Sequence, residues 1–529
     1  MAVALTLIGG IGFIMGIFYL VNHEDLDMRM YSWETVSSTV SIFVAVLLFH
    51  AFYAFIHDLD TTLYQFAPRE TTLVHVVTNT LLFLGCFTVL SCVIWRISSH
   101  AVADCTHDGH EQRGARDLAC AIIQNGVDHD DDDDDDDDDE VHETDGHHAV
   151  VLTTPWRQEL ICWSTLWAHI SSFAAIHVGG SIQHWMMDAF GATEHRVLGP
   201  AVCFVAIIPT FLILFLVFRI SDIIRSNFLT LPHSVLELWD EVGEESDDDI
   251  GALSLSFLVC QAVRFSISGH LAGPEGRVPD DFHVRPEMVL SICAFALVSV
   301  VFRVGLMFAS DSASATREAS TDTSIAEYCK RWVYIGAGIC SQHFAWCLLY
   351  TIIWSTRMVL QAYEAHTRGY EINCTSVRAI LSMIVSIVAF FVIWIIDCVF
   401  DRTEDRSVEA ALRSIIKAIG VLIGFSWEQA FASGVESIVL NLEGEGGAHH
   451  GGHEGAAEGE DASYLGLIIK CGMAAALGIV VIPAWRKYIL RSVLRLRRKH
   501  EAMKHKHETE QRQDDDSDAS DALDNHSEE

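Results

Sequence analysis

Histidines and carboxylates lie inside long apolar stretches of this chain, where neither is cheap. His50 and His57 share one stretch, seven residues apart and therefore on one helical face, with Tyr53 and Ala54 between them. His177 and His184 repeat the spacing in another stretch, which also holds His169. Asp397 ends one apolar stretch, and Glu428 and Glu436 fall within the next, together with Lys417. Histidine changes charge near neutral pH and ligates zinc, copper and iron. Carboxylates at such depth share protons or hold a cation. Arg264 and Arg303 interrupt two further stretches and are candidate charge partners. Ionisable groups within a membrane span are costly and mark pathways for ions or protons. The set His50, His57, His177, His184, Asp397, Glu428 and Glu436 is therefore the expected ion path. The plainer alternative is that His50, His177 and His343 bond neighbouring helices and that His57, His184 and Asp397 are interfacial.

The elements that must position these groups are membrane helices. Half of the 529 residues are apolar, although 71 are acidic and the net charge is -37. The two facts agree if the acids lie in loops and tails. Apolar stretches near 2–22, 34–57, 72–95, 158–180, 197–219, 251–270, 288–309, 332–356, 376–399, 411–441 and 464–485 can each cross a hydrocarbon core of about 30 Å. The expected fold is all-α, a polytopic helical bundle of about eleven spans, within the range 10–12. The first stretch lacks basic flanks and a small-residue cleavage site, so a retained span is expected rather than a signal peptide.

Between spans, composition changes sharply. Asp130 to Asp139 form an unbroken acidic run followed by Glu140, within a polar segment 97–154. That segment and the acidic tail 508–529 are expected to be disordered. Clustered imidazole and carboxylate, with His449, His450 and His453 as the compact set, suit weak, unselective binding of Zn2+ or Ca2+. The segment 220–250 reads as an amphipathic helix broken near Pro232, and Pro209 should kink the span that contains it.

Orientation rests on basic residues. Arg486, Lys487, Arg491, Arg495, Arg497, Arg498, Lys499, Lys504 and Lys506 follow the last span, which places the C-terminus in the cytoplasm. Apolar Tyr488, Ile489, Val493 and Leu496 recur at helical spacing there, so 486–506 reads as a basic amphipathic helix suited to anionic lipid. Counting back places the sequon Asn373-Cys374-Thr375 outside, in agreement.

One four-residue pattern recurs: Tyr31-Ser32-Trp33-Glu34 and Phe425-Ser426-Trp427-Glu428. Serine followed by acid suits a helix start, and Gly424 could break the long stretch around it into two half-helices, as at transporter ion sites.

No nucleophile elbow, phosphate loop, HExxH or CxxC motif occurs in a suitable context, so soluble enzyme chemistry is not expected. No nucleic-acid partner is indicated, and an oligomer is compatible with the pattern. Three readings stand: a transporter or channel for a small cation, proton or divalent metal preferred; a membrane oxidoreductase with histidine-ligated haem; or a non-transporting scaffold using its acidic loop and tail.

Overall fold

The structure, a computed structural model, describes residues 2–64, 71–107, 155–192, 195, 197–228, 233–273, 282–315, 323–364, 375–400, 402, 406–447, 458–500 and 502–503. The poly-aspartate run, the sequon asparagine, His449, His450, His453 and the acidic tail lie outside them. Among the described residues the chain is all-α, without strands. The helices are α1 (Ala2–Val21), α2 (Leu26–Tyr64), α3 (Thr71–His107), α4 (Pro155–Ala189), α5 (Leu198–Val205), α6 (Ile207–Phe228), α7 (His233–Ser268), α8 (Pro286–Ala315), α9 (Thr323–Glu364), α10 (Thr375–Phe400), α11 (Arg406–Gly447) and α12 (Glu458–Ala484). A π-helical turn, Trp485–Leu490, follows Pro483 and leads into a last helical stretch to His500. The proline removes one backbone donor, and the wider turn absorbs the mismatch.

Eight segments of these helices are long and apolar enough to cross a membrane, so the chain is an integral, multi-pass membrane protein. Three further stretches expected as spans, 2–22, 158–180 and 332–356, are also helical, in α1, α4 and α9. The polarity of α4 and α9 has a structural reason. Ser171, Ser172, His177 and Gln183 of α4 and Ser341 and His343 of α9 are buried against other helices, so these positions meet protein rather than lipid. The same division separates the eight apolar segments. In α7 and α11, 83% and 72% of the most apolar window is buried inside the protein, against 11% to 39% in the other six. The interior of the bundle is therefore α4, α7, α9 and α11, and the polar side chains gather there.

Local rules explain the ends and breaks. Asp25 Oδ1 accepts from Asp27 N–H at 2.9 Å and caps α2. Pro209 interrupts its span as expected: α5 ends at Val205, the carbonyl that a residue-209 amide would have met, and α6 starts at Ile207. Two expectations are corrected. The Tyr31-to-Glu34 pattern sits inside α2, which begins at Leu26, and the Phe425-to-Glu428 pattern sits inside α11, which is continuous from Arg406 to Gly447. Gly424 is no helix break. It lets α11 approach α2: a Cβ there would lie 2.5 Å from the Thr39 carbonyl oxygen and 3.1 Å from Ile42 Cβ. One turn earlier, Thr39 Oγ1 donates to Gly420 O at 3.1 Å. Gly179 has the same role between α4 and α7, where a Cβ would run into the Leu258 side chain.

The stretch after α12 continues the same helical run along α2. Trp485 is buried and donates to Ser37 Oγ at 2.9 Å, and Leu490, Val493, Leu494 and Leu496 are buried as well. Arg497 pairs with Glu34 at 2.9 Å, and His500 meets Asp27 at 2.8 Å. Much of its apolar face is thus buried within the protein, and its polar contacts reach α2. Tyr488 is exposed, as are the basic residues Arg486, Lys487, Arg491 and Arg495.

Candidate functional site

The close crossing of α2 and α11 at Gly420 and Gly424 sets the two helices so that His50 and Glu428 meet. His50 Nδ1 lies 2.8 Å from Glu428 Oε1. The Glu428 side chain is 1% exposed and that of His50 is 26% exposed, so the pair has one sealed member and one partly open one. Among the described residues His50 is the ion-pair partner of Glu428, and Glu428 Oε2 is buried with no hydrogen-bond partner. A buried carboxylate with a free oxygen is an unusual state. Its desolvation cost is several kcal/mol by order of magnitude, and it is offset by protonation, a shared proton or a bound cation.

An aromatic wall surrounds the pair. His177 packs on Tyr53 with ring centroids 4.2 Å apart and on Phe49 at 5.0 Å. Its Nδ1 is buried and without a hydrogen-bond partner among the described residues. Phe173 stacks on Phe425 at 5.9 Å, and Phe425 meets Trp346 edge-on at 5.1 Å. The site is thus built by α2, α4 and α11, with α9 behind it.

A cavity of about 390 Å³ lies between α7, α8, α9 and α11. Its lining is charged in both senses, with Glu245, Asp249, Arg303 and Lys417 among the residues that face it. Lys417 Nζ donates to Asp249 at 3.1 Å and lies 3.7 Å from Glu245. Glu428 is eleven residues further along α11 than Lys417, about 16 Å along the helix axis at about 1.5 Å per residue.

The expected ion-path residues separate into three groups. His50, His177 and Glu428 come together through α2, α4 and α11. His184 is engaged elsewhere: its Nε2 lies 3.0 Å from the carbonyl oxygen of Ala272, which also accepts from Gln261 at 2.9 Å. That residue pins the segment after α7 rather than facing Glu428. Asp397 is buried on α10, fifteen residues from Ser382, whose hydroxyl meets Ser426 O at 2.6 Å. It therefore sits about 22 Å along α10 from the level of Glu428. Glu436 is exposed two turns beyond Glu428. His57 belongs to α2, but its side chain is outside the described set.

The two arginines do not pair with Glu428; His50 takes that place. Arg303 faces the cavity and reaches Ala410 O at 3.5 Å, eighteen residues before Glu428 on α11. Arg264 places its guanidinium carbon 3.5 Å over the Tyr350 ring. Delocalised charge over an aromatic face is a workable way to bury arginine. The sequence marks Phe425 only through the four-residue pattern and does not mark Phe173, since aromatic residues in apolar helices carry no positional signal until the helices are packed.

No protein-family model, curated protein or solved structure matches the chain.

Proposed function

We propose that this membrane protein transports a small cation, with the proton or a divalent metal ion preferred, and that His50 and Glu428 form its exchange site. The observation that carries the reading is the sealed Glu428 carboxylate with one oxygen on His50 and the other without a hydrogen-bond partner. Such a group binds a positive charge tightly when unsolvated and releases it when the partner imidazole gains a proton or water enters. Imidazole is the side chain whose charge changes nearest neutral pH, and the partial exposure of His50 gives it a route to the outside of the pair. His177 lines the same space and is the next candidate along the path. The charged cavity about three turns away on α11 supports access from one end of the bundle, with Lys417, Asp249 and Arg303 setting which ions enter. His184, Asp397 and Glu436 lie away from the pair and have secondary roles at most. The exposed basic face of 486–499 fits anionic lipid on the cytoplasmic leaflet.

The deciding experiment uses purified full-length protein in proteoliposomes with a pH-sensitive dye inside and a proton gradient or Zn2+ outside. Protein-dependent flux is expected, and Glu428→Gln should lower it by about tenfold or more, the factor given by about 1.4 kcal/mol of lost ion binding. Unchanged flux in Glu428→Gln overturns the role of this site. Folded protein that passes neither protons nor Zn2+ overturns transport and favours the scaffold or haem reading, the latter recognisable by a Soret band.

A further inference from the structure

A second buried cluster lies on the other side of Trp346. Cys260 of α7 and His343 and Cys347 of α9 bring their ligand atoms within 4.8 Å of one another. All three residues are buried. His343, Cys347 and Tyr350 follow one another at spacings of four and three residues, which puts them on one face of α9. We propose that Cys260, His343 and Cys347 form a binding site for a thiophilic metal ion, Cu+ or Zn2+. The proposal is independent of the transport reading.

The distances fit. Around a tetrahedral ion with bonds of about 2.3 Å to sulfur and about 2.0 Å to nitrogen, two sulfurs sit about 3.8 Å apart and sulfur and nitrogen about 3.5 Å apart. Here the Cys347 and Cys260 sulfurs are 4.0 Å apart, and Cys347 Sγ is 3.5 Å from His343 Nε2. All three ligand atoms lie within 4.8 Å of one another, so a single ion reaches them once the thiol and imidazole side chains turn, without a change in how the helices pack.

The imidazole is already held in the form a metal requires. Ser299 Oγ of α8 lies 2.7 Å from His343 Nδ1. Its one proton is directed to Phe295 O at 2.8 Å. The Ser299 oxygen therefore accepts from Nδ1–H, which leaves the lone pair on Nε2; the Cys347 sulfur lies beside the ring, 3.5 Å from Nε2 and 3.8 Å from Nδ1. The Ser299 bond is the outer-shell bond that fixes tautomer and ring orientation in metal sites.

Charge supports a soft cation. Each thiol gives up its proton on binding, so the ligand set carries two negative charges. Arg264 is one helical turn from Cys260 and within electrostatic reach of Cys347. Two thiolates, one guanidinium and Cu+ sum to zero, which suits a site deprived of water. With Zn2+ the sum is +1, and the Tyr350 hydroxyl supplies a candidate fourth ligand. That oxygen is buried and has no hydrogen-bond partner among the described residues. Ala252 and Gly338 line the charged cavity, and Cys260 and Cys347 are about two turns further along the same helices.

The test loads purified full-length protein, reduced and under anaerobic conditions, with Cu+ or with Zn2+ in separate arms. Excess metal is removed with a competing chelator, and Co2+ replaces Zn2+ for spectroscopy. Wild-type protein should retain Cu+, Zn2+ or both, show sulfur-to-metal charge-transfer absorption, and unfold at a higher temperature when loaded. The double variant Cys260→Ser, Cys347→Ser should lose the absorption and the thermal shift, while any weak binding at surface histidines cancels in the comparison. Ser299→Ala keeps all three ligands and should weaken affinity about 10- to 100-fold. Folded wild-type protein with no sulfur-to-metal absorption in either arm overturns the proposal. So does a Cys260–Cys347 disulfide in the purified protein that blocks loading, or absorption that persists in the double variant.

Discussion

The bundle holds two buried polar centres of contrasting chemistry. In one, a hard oxygen ligand, Glu428, meets a partly exposed imidazole; in the other, two thiols and an imidazole are enclosed together. They lie at similar distances from the charged cavity. Glu428 is eleven residues beyond Lys417 on α11, and Cys260 is eleven residues beyond Asp249 on α7, and Lys417 and Asp249 are themselves paired. The difference is in how the polar groups are satisfied. Glu428 keeps a free oxygen and a partner that reaches outside the site, which suits a group that changes state during a cycle. His343 is bonded to Ser299 and lies close to two thiols, which suits a group that stays as it is. Oxygen ligands favour protons and hard ions, and thiolates favour soft ones. On the two proposals, one protein interior would hold a site for exchange and a site for retention, a few helical turns apart.

The comparison is broken most directly by crossing the two readouts. Glu428→Gln should reduce flux by about tenfold or more and leave the sulfur-to-metal absorption unchanged. Cys260→Ser with Cys347→Ser should do the reverse. If either substitution abolishes both signals in folded protein, the centres are one site. The next largest effect is on the crossing that builds the Glu428 site. Gly424→Leu drives a side chain into Thr39 and Ile42, and a loss of about 3 kcal/mol of stability is expected from overpacking. Thermal unfolding of the purified protein measures it; an unchanged midpoint means that α2 and α11 do not pack this tightly. His184→Ala removes a side chain bonded to Ala272 O, and a cost of about 1 kcal/mol with unchanged flux is expected. A flux defect there would return His184 to the path. Arg497→Ala removes a pair with Glu34 in which the arginine is half exposed, so the change in stability should be at most about 1 kcal/mol.

Particular residues mark what could be read without coordinates. The stretch 376–399 is mostly apolar and nearly matches α10, because lipid demands it. The break before Pro209 follows from one missing amide. Glu428 was recognisable as unusual because a carboxylate in the middle of an apolar run has few inexpensive explanations. The four-residue echo, by contrast, misled: its serines suggested helix starts, and both lie within continuous helices. Serine in a buried helix bonds the preceding turn, as Ser32 does to Met28 O and Ser426 to Ile423 O, and this leaves no trace in composition. The apolar positions after Trp485 were legible as a face, but not what the face meets. The spacing of His343 and Cys347, four apart, was available as a signal and was too common to act on alone.

Sequence alone determined that the chain is an all-α membrane protein with several apolar spans, and it marked His177, Arg264 and Glu428 as polar residues inside them; Glu436, marked in the same way, is exposed. These properties depend on composition and on the helical period, both local. Tertiary structure decided that Glu428 meets His50 rather than Arg264 or Arg303, that His184 turns toward a backbone carbonyl, and that Cys260 joins a histidine and a cysteine more than eighty residues away. Those outcomes depend on which helices become neighbours and on their relative rotation. Close contacts at Gly179, Gly420 and Gly424 fix these through side chains on two elements at once, and no single stretch of sequence contains both.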